Sequence, residues 1–124
     1  IITEADSCLS LPHPGATLRF GHDTMIMPLT CLLNLNNYNV QVFNLDSLET
    51  KGWNSAHIFP MAANIQFVFY KNPKNPKADI LIKALLNEEE VTMPLPKTST
   101  PYYYKWNDFK TFYLKLLNNY KEPQ

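Results

Sequence analysis

Arginine is nearly absent from this 124-residue chain: Arg19 stands alone beside ten lysines, and eleven basic side chains balance eleven acidic ones. A chain without net charge has no long-range field that would steer it to nucleic acid or to an anionic membrane surface, so we expect neither partner. No apolar run approaches the roughly 20 residues that a membrane-spanning helix needs. Any recognition of an anion must therefore be local.

Glycine, histidine and cysteine are also scarce, with three, three and two residues. No two histidines or cysteines have the spacing of zinc ligands, so we expect no metal and no cofactor. Cys8 and Cys31 permit one disulfide without requiring it, and the apolar surroundings of Cys31 favour a small buried residue. Residues 1–6 lack a basic region ahead of an apolar one, so they are not expected to be a signal peptide, and a signal upstream stays open.

The spacing of apolar residues predicts an α/β fold in a single unit over residues 1–124, a length that suffices for one core. Alternation predicts strands at Ala16–Phe20, Ala63–Tyr70 and Asp79–Leu86, the last two forming an antiparallel hairpin across a turn-rich loop. A helix over Asp79–Glu90 is the competing interpretation of the third segment, because it contains good helix formers. Val91–Leu95 is expected to add a short edge strand.

Helices are predicted on either side of these strands. Residues 1–11 fit the end of a helix, and a second helix is expected from Asp23 or Thr24 to about Asn34. Pro28 suggests that regular hydrogen bonding in that helix begins around residues 25–27, since proline is tolerated in a first turn. Apolar residues recur at three- and four-residue steps from Trp106 to Tyr120, which indicates an amphipathic helix capped by Asn107 or Asp108. Between them, residues 44–60 are expected to form a long loop with a helical turn at 45–49.

The most informative motif is Gly21-His22-Asp23-Thr24, which lies between the predicted strand and the predicted helix. In α/β folds this position, after a strand and before a helix, is where ligands bind. The first turn of a helix presents unpaired N–H groups and about half a positive charge, which suits a phosphate, and a protonated histidine adds a charge-assisted hydrogen bond. A neighbouring phosphate would raise the pKa of Asp23, so that this carboxyl group stays protonated in mild acid and can donate a proton to a departing oxygen.

The segment Leu18–Thr24 resembles the second signature of the histidine acid phosphatases, the phytase-like branch of the histidine phosphatase superfamily. The resemblance implies that His22 contacts the phosphoryl group and that Asp23 protonates the leaving group as a general acid. Thr24 is a further candidate for substrate binding, although a role in starting the helix is favoured. Arg19 is another, and it points either to the site or to the opposite layer.

The resemblance continues more loosely through Trp53, Ala63–Tyr70 and Leu86–Asn87, and it implies a layered α/β phosphatase core with a mixed sheet. The nucleophile motif of the family, Arg-His-Gly-x-Arg-x-Pro, has no match in this chain. We therefore expect the carboxyl-terminal part of a larger phosphomonoesterase, inactive alone, whose partner is the missing amino-terminal portion. The resemblance also implies secretion or a periplasmic location, and an incomplete core implies exposed apolar surface and self-association.

A second hypothesis treats the chain as a complete non-catalytic module that binds a glycan or a protein. It rests on the aromatic content of 13% and on the long loop. Three consecutive tyrosines, at 102–104, cannot share one face of a strand, so they make a poor carbohydrate platform.

Overall fold

The computed structural model describes residues 1–120 and contains four α-helices and four strands within that range. The helices are α1 (Ile2–Leu9), α2 (Asp23–Leu33), α3 (Ser55–Ile58) and α4 (Trp106–Asn118). The strands are β1 (Ile65–Tyr70), β2 (Leu81–Leu86), β3 (Glu89–Glu90) and β4 (Tyr104–Lys105). The α/β class is confirmed, and no helix among the described residues is long and apolar enough to cross a membrane.

Strand β2 lies at the centre of the sheet and pairs antiparallel with each of the other strands. Its register with β1 runs from Leu86 opposite Ile65 to Leu81 opposite Tyr70, which confirms the predicted hairpin. The alternative of a helix over residues 79–90 is wrong. All pairings among residues 1–120 are antiparallel, whereas we expected a mixed sheet.

The core lies between the inner face of this sheet and α4. Three alternate residues of β2 are buried, as the pattern predicted: Ile82, Ala84 and Leu86. Helix α4 covers them with an aromatic row, in which the ring of Trp106 lies 5.1 Å from that of Phe69 and the ring of Phe109 lies 5.6 Å from that of Phe67, both edge-on. Such edge-to-face pairs add about 0.5–1.5 kcal/mol each beyond their buried area.

Helices α1 and α2 are both tied to α4. The Tyr113 hydroxyl donates a hydrogen bond to the carbonyl of Leu33, the last residue of α2, at 2.6 Å. On the other side, Asp6 of α1 accepts hydrogen bonds from the Trp106 indole at 2.8 Å and from Lys110 at 3.0 Å. The helix that carries the candidate site is thus anchored at its carboxyl end.

The predicted strand Ala16–Phe20 is not formed. No helix, strand, turn or bend occurs from residue 14 to residue 22, and Leu18 and Phe20 remain 74% and 93% exposed. A strand needs a neighbour to bond its backbone, and within residues 1–120 no backbone group of this segment finds one. The apolar alternation of residues 16–20 is present in the sequence, but no strand among the described residues pairs with it.

Helix α2 begins at Asp23, as predicted, and its first backbone hydrogen bonds are donated by the amides of Met25 and Ile26 to the His22 carbonyl, at 2.9 and 3.4 Å. Pro28 lies inside the helix and not in its first turn, so the argument from that proline was wrong. The capping residue expected for α4 was also wrong. Helix α4 is preceded by Lys105 and not by a capping Asn107 or Asp108, since the sheet itself holds its start: the Trp106 amide donates to the Ile80 carbonyl at 2.8 Å.

The expected edge strand at Val91–Leu95 is absent, and the short strand β3 comes just before it. Val91, Met93 and Leu95 are instead buried in the core, at 2%, 6% and 7% exposure. Pro94 removes one backbone donor, and the remaining amides bond to separate partners instead of one neighbouring strand: Val91 donates to the Ala84 carbonyl at 3.2 Å and Met93 to the Tyr104 hydroxyl at 3.1 Å.

The loop predicted for residues 44–60 contains the expected helical turn, at Leu45–Ser47. A second turn follows at Glu49–Lys51, and then α3, which the sequence did not indicate. Asn54 caps α3 by accepting a hydrogen bond from the His57 amide at 3.3 Å. Both cysteines are free thiols, Cys8 exposed and Cys31 half-buried.

Candidate active site at the start of helix α2

His22 is the N-cap of α2, with an extended backbone at φ −122° and ψ 169°. Its carbonyl accepts hydrogen bonds from the amides of Met25 and Ile26, at 2.9 and 3.4 Å, so the backbone of His22 organises the first turn. Its side chain makes no capping hydrogen bond, and the residue is exposed. The imidazole is therefore free to meet a ligand at the positive end of the helix dipole.

Asp23 occupies the first helical position and not the N-cap. One oxygen, Oδ1, accepts a hydrogen bond from the Thr24 amide at 2.8 Å. The other oxygen makes no hydrogen bond with residues 1–120, and Asp23 is exposed. Negative charge in a first turn is favourable, typically by about 0.3–1 kcal/mol. The Asp23 carboxylate thus stabilises the helix, and its second oxygen stays exposed.

The two further candidates, Thr24 and Arg19, occupy different surroundings. Thr24 lies in the first turn of α2, where its amide bonds to Asp23, which fits the favoured role in starting the helix. Arg19 forms an ion pair with Glu4 of α1, and the two side chains are 62% and 42% exposed. Exposed pairs are worth about 0–1 kcal/mol, so this contact restrains Arg19 only weakly.

The contact with Glu4 is the main feature of this region that sequence reasoning missed. Glu4 stands fifteen positions before Arg19, in a different element, and no local spacing links them. The structure thus places α1 beside the segment that leads to His22. A second contact supports this placement, since the Cys8 sulfur lies 4.0 Å from the Thr17 hydroxyl.

The other two histidines lie elsewhere in the chain. His13 is exposed between two prolines, where a ring nitrogen lies 3.2 Å from the Pro14 carbonyl, and His57 is exposed on α3. Among residues 1–120, no three His, Cys, Asp or Glu side chains are grouped so that they could hold a metal ion.

Two concave regions lie away from His22 and Asp23. A cavity of about 240 Å³ is lined mainly by apolar side chains of the irregular segment, with Cys31 and Trp53 among them. A shallower one of about 500 Å³ lies near Lys97 and Asp108. Neither region includes a residue of the motif, and His22, Asp23 and Thr24 are all exposed at the start of α2.

Comparison with known proteins identifies relatives of the chain. A family model described as the histidine phosphatase superfamily (branch 2) matches residues 2–87, a range that contains the whole motif from Arg19 to Thr24. The human protein named multiple inositol polyphosphate phosphatase 1 is 27% identical over 82% of this chain. The aligned region covers 21% of that protein, so the chain spans about a fifth of the length of this relative.

Proposed function

Because this chain belongs to branch 2 of the histidine phosphatase superfamily, we propose that it supplies the proton-donor half of an acid phosphatase active site. The observation that carries the proposal is the pair His22 and Asp23, both exposed at the first turn of an eleven-residue helix. The imidazole, the helix dipole and the unpaired carboxylate oxygen can act on one bound phosphate group. The substrates are phosphomonoesters, and the reaction passes through a phosphohistidine.

In the proposed reaction, a histidine outside this chain attacks phosphorus, and the bond between phosphorus and the ester oxygen breaks. His22 donates a hydrogen bond to a phosphoryl oxygen, and α2 adds its positive end. Asp23, in its carboxylic acid form, gives its proton to the departing oxygen.

The wider properties of the intact enzyme follow from the same proposal. The relative's printed name makes inositol polyphosphates the first substrate class to test, which would be a phytase-like activity. The partner that completes the site is the amino-terminal portion carrying the nucleophile. A secreted or periplasmic location is part of the proposal as well.

The test compares Asp23→Asn and His22→Ala in an enzyme that carries both halves. Asp23→Asn keeps the shape but removes the transferable proton, so we expect phosphoryl transfer from alkyl phosphates to slow by about 10²- to 10⁴-fold. Activated aryl phosphates leave without protonation and should slow much less. His22→Ala should impair both substrate types, because it removes a contact with the phosphoryl group itself.

Asp46→Asn is the matched control, since Asp46 also lies in the first turn of a short helix and is exposed. It should leave both substrates unaffected. Equal losses with alkyl and aryl phosphates in Asp23→Asn, measured on the chemical step, would mean that Asp23 only stabilises the helix.

A further inference from the structure

The cavity of about 240 Å³ lies where the second half of α2 meets the turns and irregular backbone of residues 38–53. Its walls are formed by a thiol, two aromatic rings and several aliphatic side chains, among them Cys31, Tyr38, Trp53, Val42 and Leu48. No residue of the candidate active site lines this cavity. It is thus a feature that the proposed function does not use.

The aromatic wall of the cavity is held in place by local contacts. The Trp53 amide donates a hydrogen bond to the Leu48 carbonyl at 3.0 Å, across a turn that Gly52 ends with φ 85°. The rings of Tyr38 and Trp53 meet edge to face with their centroids 6.0 Å apart, and the ring of Phe59 lies 6.1 Å from that of Trp53. These contacts fix the orientation of the indole that a ligand would meet.

The interior of the cavity suits an apolar ring. Six of the eight residues that line it are aliphatic or aromatic. Burial also raises the pKa of the Cys31 thiol, which indicates that this wall is partly removed from water. An apolar cavity of about 150 Å³ is large enough to bind benzene, so the present cavity admits one substituted ring or two fused rings.

Lys51 is the one charged residue that lines the cavity among residues 1–120, and it is exposed. The ion pairs in this part of the chain join other residues, so the Lys51 ammonium group has no carboxylate partner there. Asp46 and Glu49, the acidic residues nearest in sequence, do not line the cavity. A lysine stem can lie along apolar surface while its charge stays in water, which leaves a cation at the mouth of an apolar cavity.

We propose that this cavity binds a small aromatic carboxylate, whose ring lies against Tyr38 and Trp53 and whose carboxylate pairs with Lys51. The apolar walls take the ring out of water, and the two aromatic side chains offer it edge-on or offset contacts. The carboxylate stays at the exposed mouth, where pairing with Lys51 requires little desolvation. An apolar interior with one polar group that fixes the orientation of the ligand is typical of small-molecule sites.

The test is a titration of the 124-residue chain with naphthalene-2-carboxylate at pH 7, followed by NMR of the tryptophan indole N–H groups. Trp53 lines the cavity, whereas Trp106 is 3% exposed in the core and serves as the internal reference. We expect the Trp53 signal to shift and to saturate with a dissociation constant on the order of 1 mM. The Trp106 signal should stay unchanged.

The contribution of the charge is measured with Lys51→Met, which keeps an unbranched stem. It should weaken the binding of naphthalene-2-carboxylate by about two- to fivefold and leave the binding of the neutral naphthalene-2-methanol unchanged. Lys51→Arg should retain the binding of both compounds. Lys74→Met is the matched control, because Lys74 is exposed and does not line the cavity.

The contribution of the cavity is measured with Val42→Phe, which fills it and should abolish the binding of both compounds. Val68→Phe is the matched control, since Val68 is also half-buried but lies on β1. Circular dichroism checks that each variant folds. A second measurement needs no variant: naphthalene-2-carboxylate should slow the reaction of Cys31 with a maleimide, whereas the exposed Cys8 should react at an unchanged rate.

Three results would overturn the site. The absence of a saturable shift at Trp53 would mean that the cavity stays empty. Equal affinities for the carboxylate and the alcohol in the unaltered chain would mean that Lys51 selects no anion. Binding that survives Val42→Phe in a folded chain would place the ligand elsewhere. None of these results depends on His22 or Asp23, so the proposed function stands or falls separately.

Discussion

At the scale of single residues, Asn87 fixes the turn that follows β2. Its backbone has φ 51°, in the left-handed region that asparagine tolerates better than most residues. Its side-chain amide donates to the carbonyls of His57 and Ile58, at 3.1 and 3.0 Å, and its oxygen accepts from the Asn64 amide at 3.1 Å. One side chain thus joins the end of β2 to α3 and to the start of β1.

Asn87→Ala should lower the free energy of unfolding by about 2–4 kcal/mol, because it removes hydrogen bonds worth about 0.5–1.5 kcal/mol each and adds backbone strain. Asn87→Gly removes the bonds without the strain and should cost less. Asn72→Ala is the control, since Asn72 is exposed and its side chain accepts one hydrogen bond, from the Lys74 amide. Urea unfolding at equal m-values measures the three changes, and equal losses at Asn72 and Asn87 would contradict the assignment.

The candidate site shows which structural features a local residue pattern predicts and which it does not. The sequence predicted that His22 and Asp23 lie at the start of a helix, because the residues that begin a helix are close together in the chain. That Asp23 occupies the first turn and leaves the N-cap to His22 was not readable, since both are exposed polar residues in adjacent positions. The pairing of Arg19 with Glu4 depends on how α1 folds back, and no spacing encodes that. The catalytic roles of His22 and Asp23 stay a prediction.

At the scale of elements, the contact between α1 and α4 depends on pH. Hydrogen bonds from the Trp106 indole and from Lys110 hold the pKa of the Asp6 carboxyl below its usual range. A carboxylate with a lowered pKa in the folded state stabilises the fold above the unfolded value of about 3.9. That contribution is lost as the pH falls through the folded pKa.

Asp6→Asn should therefore reduce stability at pH 7, and the difference from the unaltered chain should shrink below about pH 4. Denaturant unfolding across pH 2–7 would check it. Asp46→Asn, at a carboxylate without an ion pair to residues 1–120, should show no such convergence. A constant difference for Asp6→Asn at every pH would mean that shape, and not charge, makes the contact.

The strands divide clearly into those that the sequence predicts and those that it does not. The hairpin of β1 and β2 was predictable because both partners are close in the chain and their alternation matches across the register. Val91–Leu95 also alternates and is buried, yet its amides bond to β2 and to the side chains of Asn36 and Tyr104 and not to one neighbouring strand. Residues 16–20 alternate as well, and among residues 1–120 no backbone hydrogen bond pairs them with a strand. An alternating pattern predicts which side chains of a segment share an apolar face, but it does not predict which element packs on that face.

At the scale of the whole molecule, the sheet, α4 and the buried segment after β3 supply most of the core, whereas residues 22–25 at the start of α2 are exposed. Leu18, Phe20, Phe43, Leu45 and Met61 are at least 74% exposed. Self-association through such side chains stays a prediction. The hypothesis of a binding module rested on the aromatic content of the whole chain and on the long loop, and four of those aromatic residues pack against one another in the core: Phe67, Phe69, Trp106 and Phe109.

The 124-residue chain alone should not turn over aryl phosphates measurably, because general acid catalysis contributes about 10²- to 10⁴-fold and cannot replace a nucleophile. A release assay with purified chain, in mild acid, would check it. Turnover that disappears on His22→Ala would show that the described residues contain a complete site.

The two thiols differ in a way that makes the molecule easy to observe. Cys8 is exposed on α1, whereas burial raises the pKa of the Cys31 thiol and lowers its thiolate fraction at neutral pH. A maleimide dye should therefore attach to Cys8 first and reach Cys31 only when the end of α2 opens. Because Cys8 lies beside Thr17, the fluorescence of that dye would report changes around the extended segment 16–20, and the rate of labelling at Cys31 would measure how often the end of α2 opens.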